Sequence, residues 1–176
     1  MIYALVGKSC SGKSTVFKRL MELGFETTTS YTTRPKRPSE VDGKEYKFIS
    51  VEEFHKKIDS IVAPRCYNDW FYGIDMTSID DSKDQVVIVD PQGYRDLVEA
   101  LGDHHVVGIY YMVPFPFRLV RGINRKDRLS ELIRRFIADE SDFQHIEREV
   151  DHIIYNLEFH SVLDATLEII KGGSQK

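Results

Sequence analysis

At 176 residues, 41% apolar and 30% charged, the sequence has the length and balance of one compact soluble domain whose core needs no disulfide or metal staple. A second full domain, a disordered chain and a membrane span are poor readings, since no run approaches the ~18 consecutive apolar residues that a span requires. The net charge of −4 argues against a dedicated nucleic-acid partner, although residues 118–135 carry a local balance of +5 that leaves −9 for the rest.

Ile2 to Val6 is a short continuous apolar run, as expected of a strand buried on both faces, and it feeds directly into GKSCSGKST. Val16, Phe17, Leu20 and Met21 then recur at helical spacing, with Gly24 as a stop. Phe25–Thr29 reads as a strand, residues 31–42 as a polar loop, and Tyr46–Ile49 as another strand. Ser50 followed by Glu53 forms a capping-box pattern before a helix over Val51–Ile58, and residues 61–74 suggest short, irregular strands. Val86–Val89 is a second apolar strand. It runs into Asp90 and Pro91, the pattern of an N-cap with proline at the first helical position, and then a helix through Tyr94, Leu97, Val98 and Leu101. Val106–Met112 is a third strand. A basic amphipathic helix is predicted from about residue 128, then a strand His152–Tyr155, a helix Ser161–Ile170 and a disordered tail over 171–176.

Alternating strands and helices predict an α/β fold with a parallel sheet flanked by helices and ligands beyond the carboxyl ends of its strands. The segment 31–74 is expected to form a smaller lobe over that edge.

Gly7, Gly12, Lys13 and Ser14 spell GxxxxGKS between an apolar strand and an amphipathic helix, the context a phosphate-binding loop requires. Glycines let backbone N–H groups of residues such as Ser9, Cys10, Ser11 and Thr15 turn toward phosphate oxygens at the positive end of a helix. Lys13 would reach the β and γ phosphates of ATP, and the Ser14 hydroxyl would ligate Mg²⁺. Downstream, Ser30, Arg34, Arg37 and Tyr46 concentrate phosphate-binding groups on one polar stretch, where two guanidiniums and a phenol can hold a dianionic monophosphate.

The run from the phosphate loop through TTRPKRPSEVDGKEYKF, with FYG at 71–73, DPQG at 90–93 and IIYN at 153–156, resembles the guanylate kinase family over nearly the whole chain. The resemblance implies a P-loop core (1–30, 75–115 and 151–170), a nucleoside-monophosphate lobe (about 31–74) and a basic helical lid (about 116–150). It implies transfer of the γ-phosphoryl group of ATP to GMP or dGMP. It further implies that Arg34, Arg37, Tyr46 and Tyr72 grip the acceptor phosphate, that Ser30 faces the base, that Arg121 and Arg135 neutralise the transferring group, and that Asn156 lies beside adenine. Asp90 is a candidate substrate-side carboxylate.

Three departures concern the base. The family's guanine-binding glutamate is replaced by Ala63, a small hydroxyl residue after YG by Ile74, and the first acid of DxDxQG by Ile88. Asp69 and Asp75 are the nearest substitutes. Two rivals therefore stand beside the GMP reading, namely the same chemistry on a different (deoxy)nucleoside monophosphate and a non-catalytic interaction domain of guanylate kinase type. The second is disfavoured by the intact phosphate loop. Two cysteines, Cys10 and Cys66, form no CxxC or metal spacing, and the short apolar N-terminus carries no basic leader, so a cytosolic, reducing setting is expected, with no membrane or nucleic-acid partner and a monomer or homodimer. Cys10, inside the loop, is an oxidation liability rather than a nucleophile.

Overall fold

The computed structural model describes residues 1–36, 40–44, 46–67, 69–80 and 82–173. Strand β1 (Ile2–Val6) is fully buried because it sits mid-sheet. Ile2, Ala4 and Val6 face one cluster with Val87, Tyr94, Leu97, Tyr110 and Phe143, while Tyr3 and Leu5 face another with Val16, Phe17, Leu20, Ile109 and Val162. The period of two thus serves two half-cores, each covered by helices.

The main sheet has five strands in the order β2-β7-β1-β8-β9, where β2 is Glu26–Thr27, β7 Gln85–Ile88, β8 Val106–Met112 and β9 His152–Tyr155. Every pairing in it is parallel. Helix α1 (Lys13–Glu22) covers one face, and α3 (Pro91–Leu101) covers the other.

A second sheet, ordered β4-β3-β6-β5, is built from β3 (Ser30–Thr32), β4 (Lys47–Phe48), β5 (Ile61–Tyr67) and β6 (Trp70–Asp75). Its small core of Tyr31, Phe54 and Ile61 is closed by α2 (Val51–Lys56), which opens on the expected capping box. There the Ser50 hydroxyl accepts from the Glu53 N–H, and the Glu53 carboxylate accepts from the Ser50 N–H.

Four expectations need correction. Residues 30–32 are a strand, because the Tyr31 side chain is buried and its hydroxyl donates to Asp75 Oδ2 at 2.6 Å. Residues 61–75 form one long hairpin with a bulge between Val62 and Arg65, where Ala63 takes a left-handed φ of 54°. A helix α4 (Phe115–Asn124) precedes α5 (Leu129–Asp142), and its pattern is inverted: the buried residues are Arg118 and Gly122, whereas Phe115, Phe117, Val120 and Ile123 are exposed. The last helix, α6 (Phe159–Gly173), runs through Lys171–Gly173, assigned above to the tail, and Tyr3 Oη donates to the Ile170 carbonyl at 2.9 Å. No helix among the described residues is long and apolar enough to cross a membrane.

Candidate active site

Residues 7–12 leave the carboxyl end of β1 and enter α1 through Gly12, whose φ of 96° admits glycine readily. Space also demands glycine, since a Cβ there would lie 2.7 Å from Asn156 Nδ2. No side chain caps α1 and no acid stands in its first turn, so its N-terminal amide dipoles are left to an anion. Asn156, buried on the loop after β9, donates to the Ser11 carbonyl at 2.7 Å, and Arg121 bridges the Ser11 and Asn156 carbonyls at 3.1 and 2.8 Å. These bonds satisfy the Ser11 carbonyl and hold the loop shape.

A cavity of about 430 Å³ opens over this loop, lined by Cys10, Ser11, Gly12, Lys13, Ser14 and Thr15 and by Arg121, Arg125, Asn156, Leu157 and Phe159. Its lining combines two guanidiniums and the loop's main chain with the apolar side chains of Leu157 and Phe159, which suits a nucleotide with phosphates on the loop. The Lys13 ammonium is folded back on its own loop, donating to the Gly7 carbonyl and, at 3.3 Å, to the Lys8 carbonyl. Desolvation pushes its pKa down to about 8, with the nearby Asp139 carboxylate acting in the opposite sense.

Asp139 is a partner that the sequence did not signal. Projecting from α5, it accepts from the Ser9 N–H at 2.8 Å, the Ser9 hydroxyl at 3.1 Å and Arg118 Nη1 at 3.0 Å. Arg118 is itself buried, with its guanidinium 4.9 Å from the centre of the Phe136 ring. Burial raises the Asp139 pKa, while the Ser9 bonds and the charges of Lys13 and Arg118 oppose the shift. A carboxylate on α5 and a guanidinium on α4 thereby tie both helices to the phosphate loop.

A cleft of about 770 Å³ is lined by Ser14, Thr15 and Lys18 of α1, by Arg34, Tyr46 and Tyr72, and by Arg125 and Asp127. Arg34 is only 7% exposed. Its Nη2 pairs with Glu40 at 2.8 Å, and its guanidinium carbon lies 5.5 and 6.0 Å from the Phe48 and Tyr46 rings. Tyr46 and Tyr72 meet edge to face at 6.1 Å. A phosphate dianion entering here would compete with Glu40 for the same guanidinium. Arg37 lies outside the described residues.

A third cavity, of about 270 Å³, connects Gly7 and Lys13 to Ser30, Ala63, Arg65, Tyr72, Ile74, Ile88 and Asp90. Asp90 both lines it and caps α3, accepting the Gly93 N–H at 2.6 Å. The carboxylates named as substitutes for the missing glutamate are not in this lining. Asp75 is bonded to Tyr31, to the Thr77 N–H and to the Thr77 hydroxyl, and Asp69 is exposed at the hairpin turn with a φ of 61°. Of the basic residues expected to neutralise the transferring group, Arg121 reaches the loop. Arg135 is tied to Asp127 at 2.9 Å and is not among the residues lining these three cavities; Arg125, paired with the same Asp127, lines two of them.

The guanylate kinase family model matches residues 1–172. The chain belongs to the guanylate kinase family. A guanylate kinase from Maricaulis maris is 31% identical over 97% of this chain and 82% of its own length, and one from Rhizobium etli is 30% identical over 97% and 81%. The crystal structure of guanylate kinase from Anaplasma phagocytophilum superposes with a TM-score of 0.76 at 26% identity, covering all of this chain and 87% of that one. A family kinase is a phosphotransferase, and the α/β core with its parallel sheet is the fold this chain shares with that structure.

Proposed function

We propose that the chain transfers the γ-phosphoryl group of ATP to the phosphate of a guanosine monophosphate, GMP or dGMP, giving the diphosphate and ADP. The observation that carries this reading is one cleft lined both by Ser14 and Thr15 at the start of α1 and by Arg34, Tyr46 and Tyr72, so that donor and acceptor phosphates would share one space. ATP would sit over Cys10–Thr15, with Gly7 and Ser9 shaping the loop behind it and Arg121, Arg125 and Asn156 beside it. The monophosphate would be held by Arg34, Tyr46 and Tyr72, with Ser30 and Asp90 toward its nucleoside.

The acceptor oxygen is already anionic, so no side chain has to act as general base. The residues position two like-charged groups and neutralise them. Lys13 would leave the Gly7 carbonyl for the β and γ phosphates. Residues 31–74 would act as the acceptor lobe and residues 116–150 as the lid, with Arg121 and Arg125 carried on α4 and at its end, and Arg135 orienting Asp127.

The donor set suits Mg²⁺. Among the described residues no group of three His, Cys, Asp or Glu could cage a metal, whereas the Ser14 hydroxyl, beside those of Ser11 and Thr15, lines the phosphate cavity, and Mg²⁺ commonly takes one or two protein oxygens with the rest from phosphates and water. When bound, the ion would be held by the Ser14 hydroxyl and would supply neutralisation of the triphosphate charge. Two free cysteines and the absence of any disulfide among the described residues favour the cytosol.

A second reading keeps the chemistry and changes the acceptor base, and it rests on Ala63, Ile74 and Ile88 in the cavity lining. Coupled ADP-release assays across the common NMPs and dNMPs test both readings. Turnover with GMP or dGMP is expected, and Lys13→Ala and Arg34→Ala should each lower kcat/KM by about two to four orders of magnitude without unfolding. Near-normal turnover in either variant, or no ATP binding at all, would refute the assignment.

A further inference from the structure

We propose that the acceptor base is read through its carbonyl edge by the Arg65 guanidinium, and that the site therefore takes 6-oxopurine nucleotides as a class, IMP and dIMP as well as GMP. This deepens the kinase reading above and rests on it.

Ala63, Gly73, Ile74 and Ile88 line the 270 Å³ cavity without offering a side-chain hydrogen-bonding group, and Ser30 adds one hydroxyl. Strand pairing sets Ser30 opposite Ile74, and Arg65 opposite Tyr72 on the same hairpin, so the basic side chain stands one pleat from the apolar wall. The guanidinium is held rather than loose. Its Nη2 donates to Asp96, which is itself held by Gln92 Nε2 at 3.0 Å, and its Nη1 donates to the Pro64 carbonyl at 2.7 Å. Arg65 Nε is buried with no hydrogen-bond partner, 3.8 Å from Asp90 Oδ1.

Three carboxylates share the lining, and two are committed. Both oxygens of Asp139 serve Ser9 and Arg118, while Asp90 Oδ1 caps α3 and faces Arg65. Asp142 is exposed at the end of α5.

A guanidinium has donors and no acceptor, so it matches a ring carbonyl and opposes an exocyclic amine at the same place. That favours hypoxanthine and guanine over adenine. A 2-amino group set against Ala63, Ile74 and Ile88, by contrast, would meet apolar side chains. There it finds no side-chain acceptor and adds no binding, and a buried unpaired amine costs affinity. The reaction is unchanged: the acceptor phosphate oxygen bonds to Pγ, the bond from Pγ to the β-bridging oxygen breaks, and ADP leaves.

The test is steady-state ADP release at saturating ATP and Mg²⁺ with GMP, IMP and AMP varied. The kcat/KM for IMP is expected within about threefold of that for GMP or above it, with AMP at least about a hundredfold lower. An IMP value about a hundredfold or more below GMP would overturn the inference and leave the kinase reading intact, whereas no turnover with any nucleotide would overturn both. Arg65→Met should raise KM for GMP and IMP together, leave KM for ATP unchanged, and shrink the IMP-to-AMP ratio by about tenfold or more. Arg65→Lys, which keeps a donor, should retain most of that ratio, and Ala63→Glu should raise GMP over IMP by about tenfold. Thermal melts establish that each variant is folded. A folded Arg65→Met enzyme with an unchanged IMP-to-AMP ratio contradicts the proposal, and should that variant not fold, an unchanged GMP-to-IMP ratio in Ala63→Glu does so.

Discussion

Lys13 shows how one side chain carries both a cost and a use. In the free protein its ammonium is desolvated and its pKa falls from 10.5 to about 8, so between those values the unfolded chain holds more protons than the folded one. Its contribution to stability therefore rises with pH across that window. Triphosphate binding reverses the sign, because an adjacent anion favours the charged form. ATP binding near pH 8.5 should take up protons and ATP affinity should fall as pH climbs above about 8, while Lys13→Arg, charged throughout, should show neither effect. Calorimetry in two buffers of different ionisation enthalpy checks this; no proton uptake in the native protein would contradict it. The Asp139–Arg118 pair is the other costly residue-scale device. Asp139→Ala would leave a guanidinium that is 3% exposed with only the Ser9 carbonyl at 3.5 Å and Glu140 at 3.7 Å, with an expected loss of about 3 kcal/mol in denaturant unfolding.

At the scale of elements, the contrast between helix starts is informative. Helix α2 has its Ser50–Glu53 box and α3 has Asp90 with Pro91, whereas α1 begins at Gly12 without a side-chain cap. Ser50→Ala should cost about 1 kcal/mol by urea unfolding and leave ATP binding unchanged. The strong caps and the phosphate loop were legible in the sequence because each is a local spacing rule. Strand β3 and helix α4 were not. Ser30–Thr32 is polar and earns its place through the buried hydroxyl of Tyr31 bonded to Asp75, and α4 buries Arg118 and Gly122 while exposing its apolar residues, the reverse of the pattern that marks a helix.

Across the whole molecule, the two sheets carry the two halves of the proposed reaction, and helix α1 and residues of the segment from Arg34 to Tyr72 line one cleft. The sequence motifs marked Lys13, Ser14, Arg34, Tyr46 and Tyr72, the residues proposed to bind phosphate, and all five line the cavities described above. They gave no sign of Asp139 or Arg65, because their roles depend on Ser9, Arg118, Asp96 and Gln92, which lie between about 20 and 130 positions away. Such pairings are set by tertiary packing, and no periodicity or spacing encodes them. The central claim is that donor and acceptor phosphates occupy one continuous cleft between Ser14 and Arg34. The most direct measurement is calorimetric binding of adenosine and guanosine joined through five phosphates to the native protein, Lys13→Ala and Arg34→Ala. One molecule per chain is expected, with each substitution weakening binding by about a hundredfold or more. Two molecules per chain, or native affinity in folded Arg34→Ala, would contradict the account.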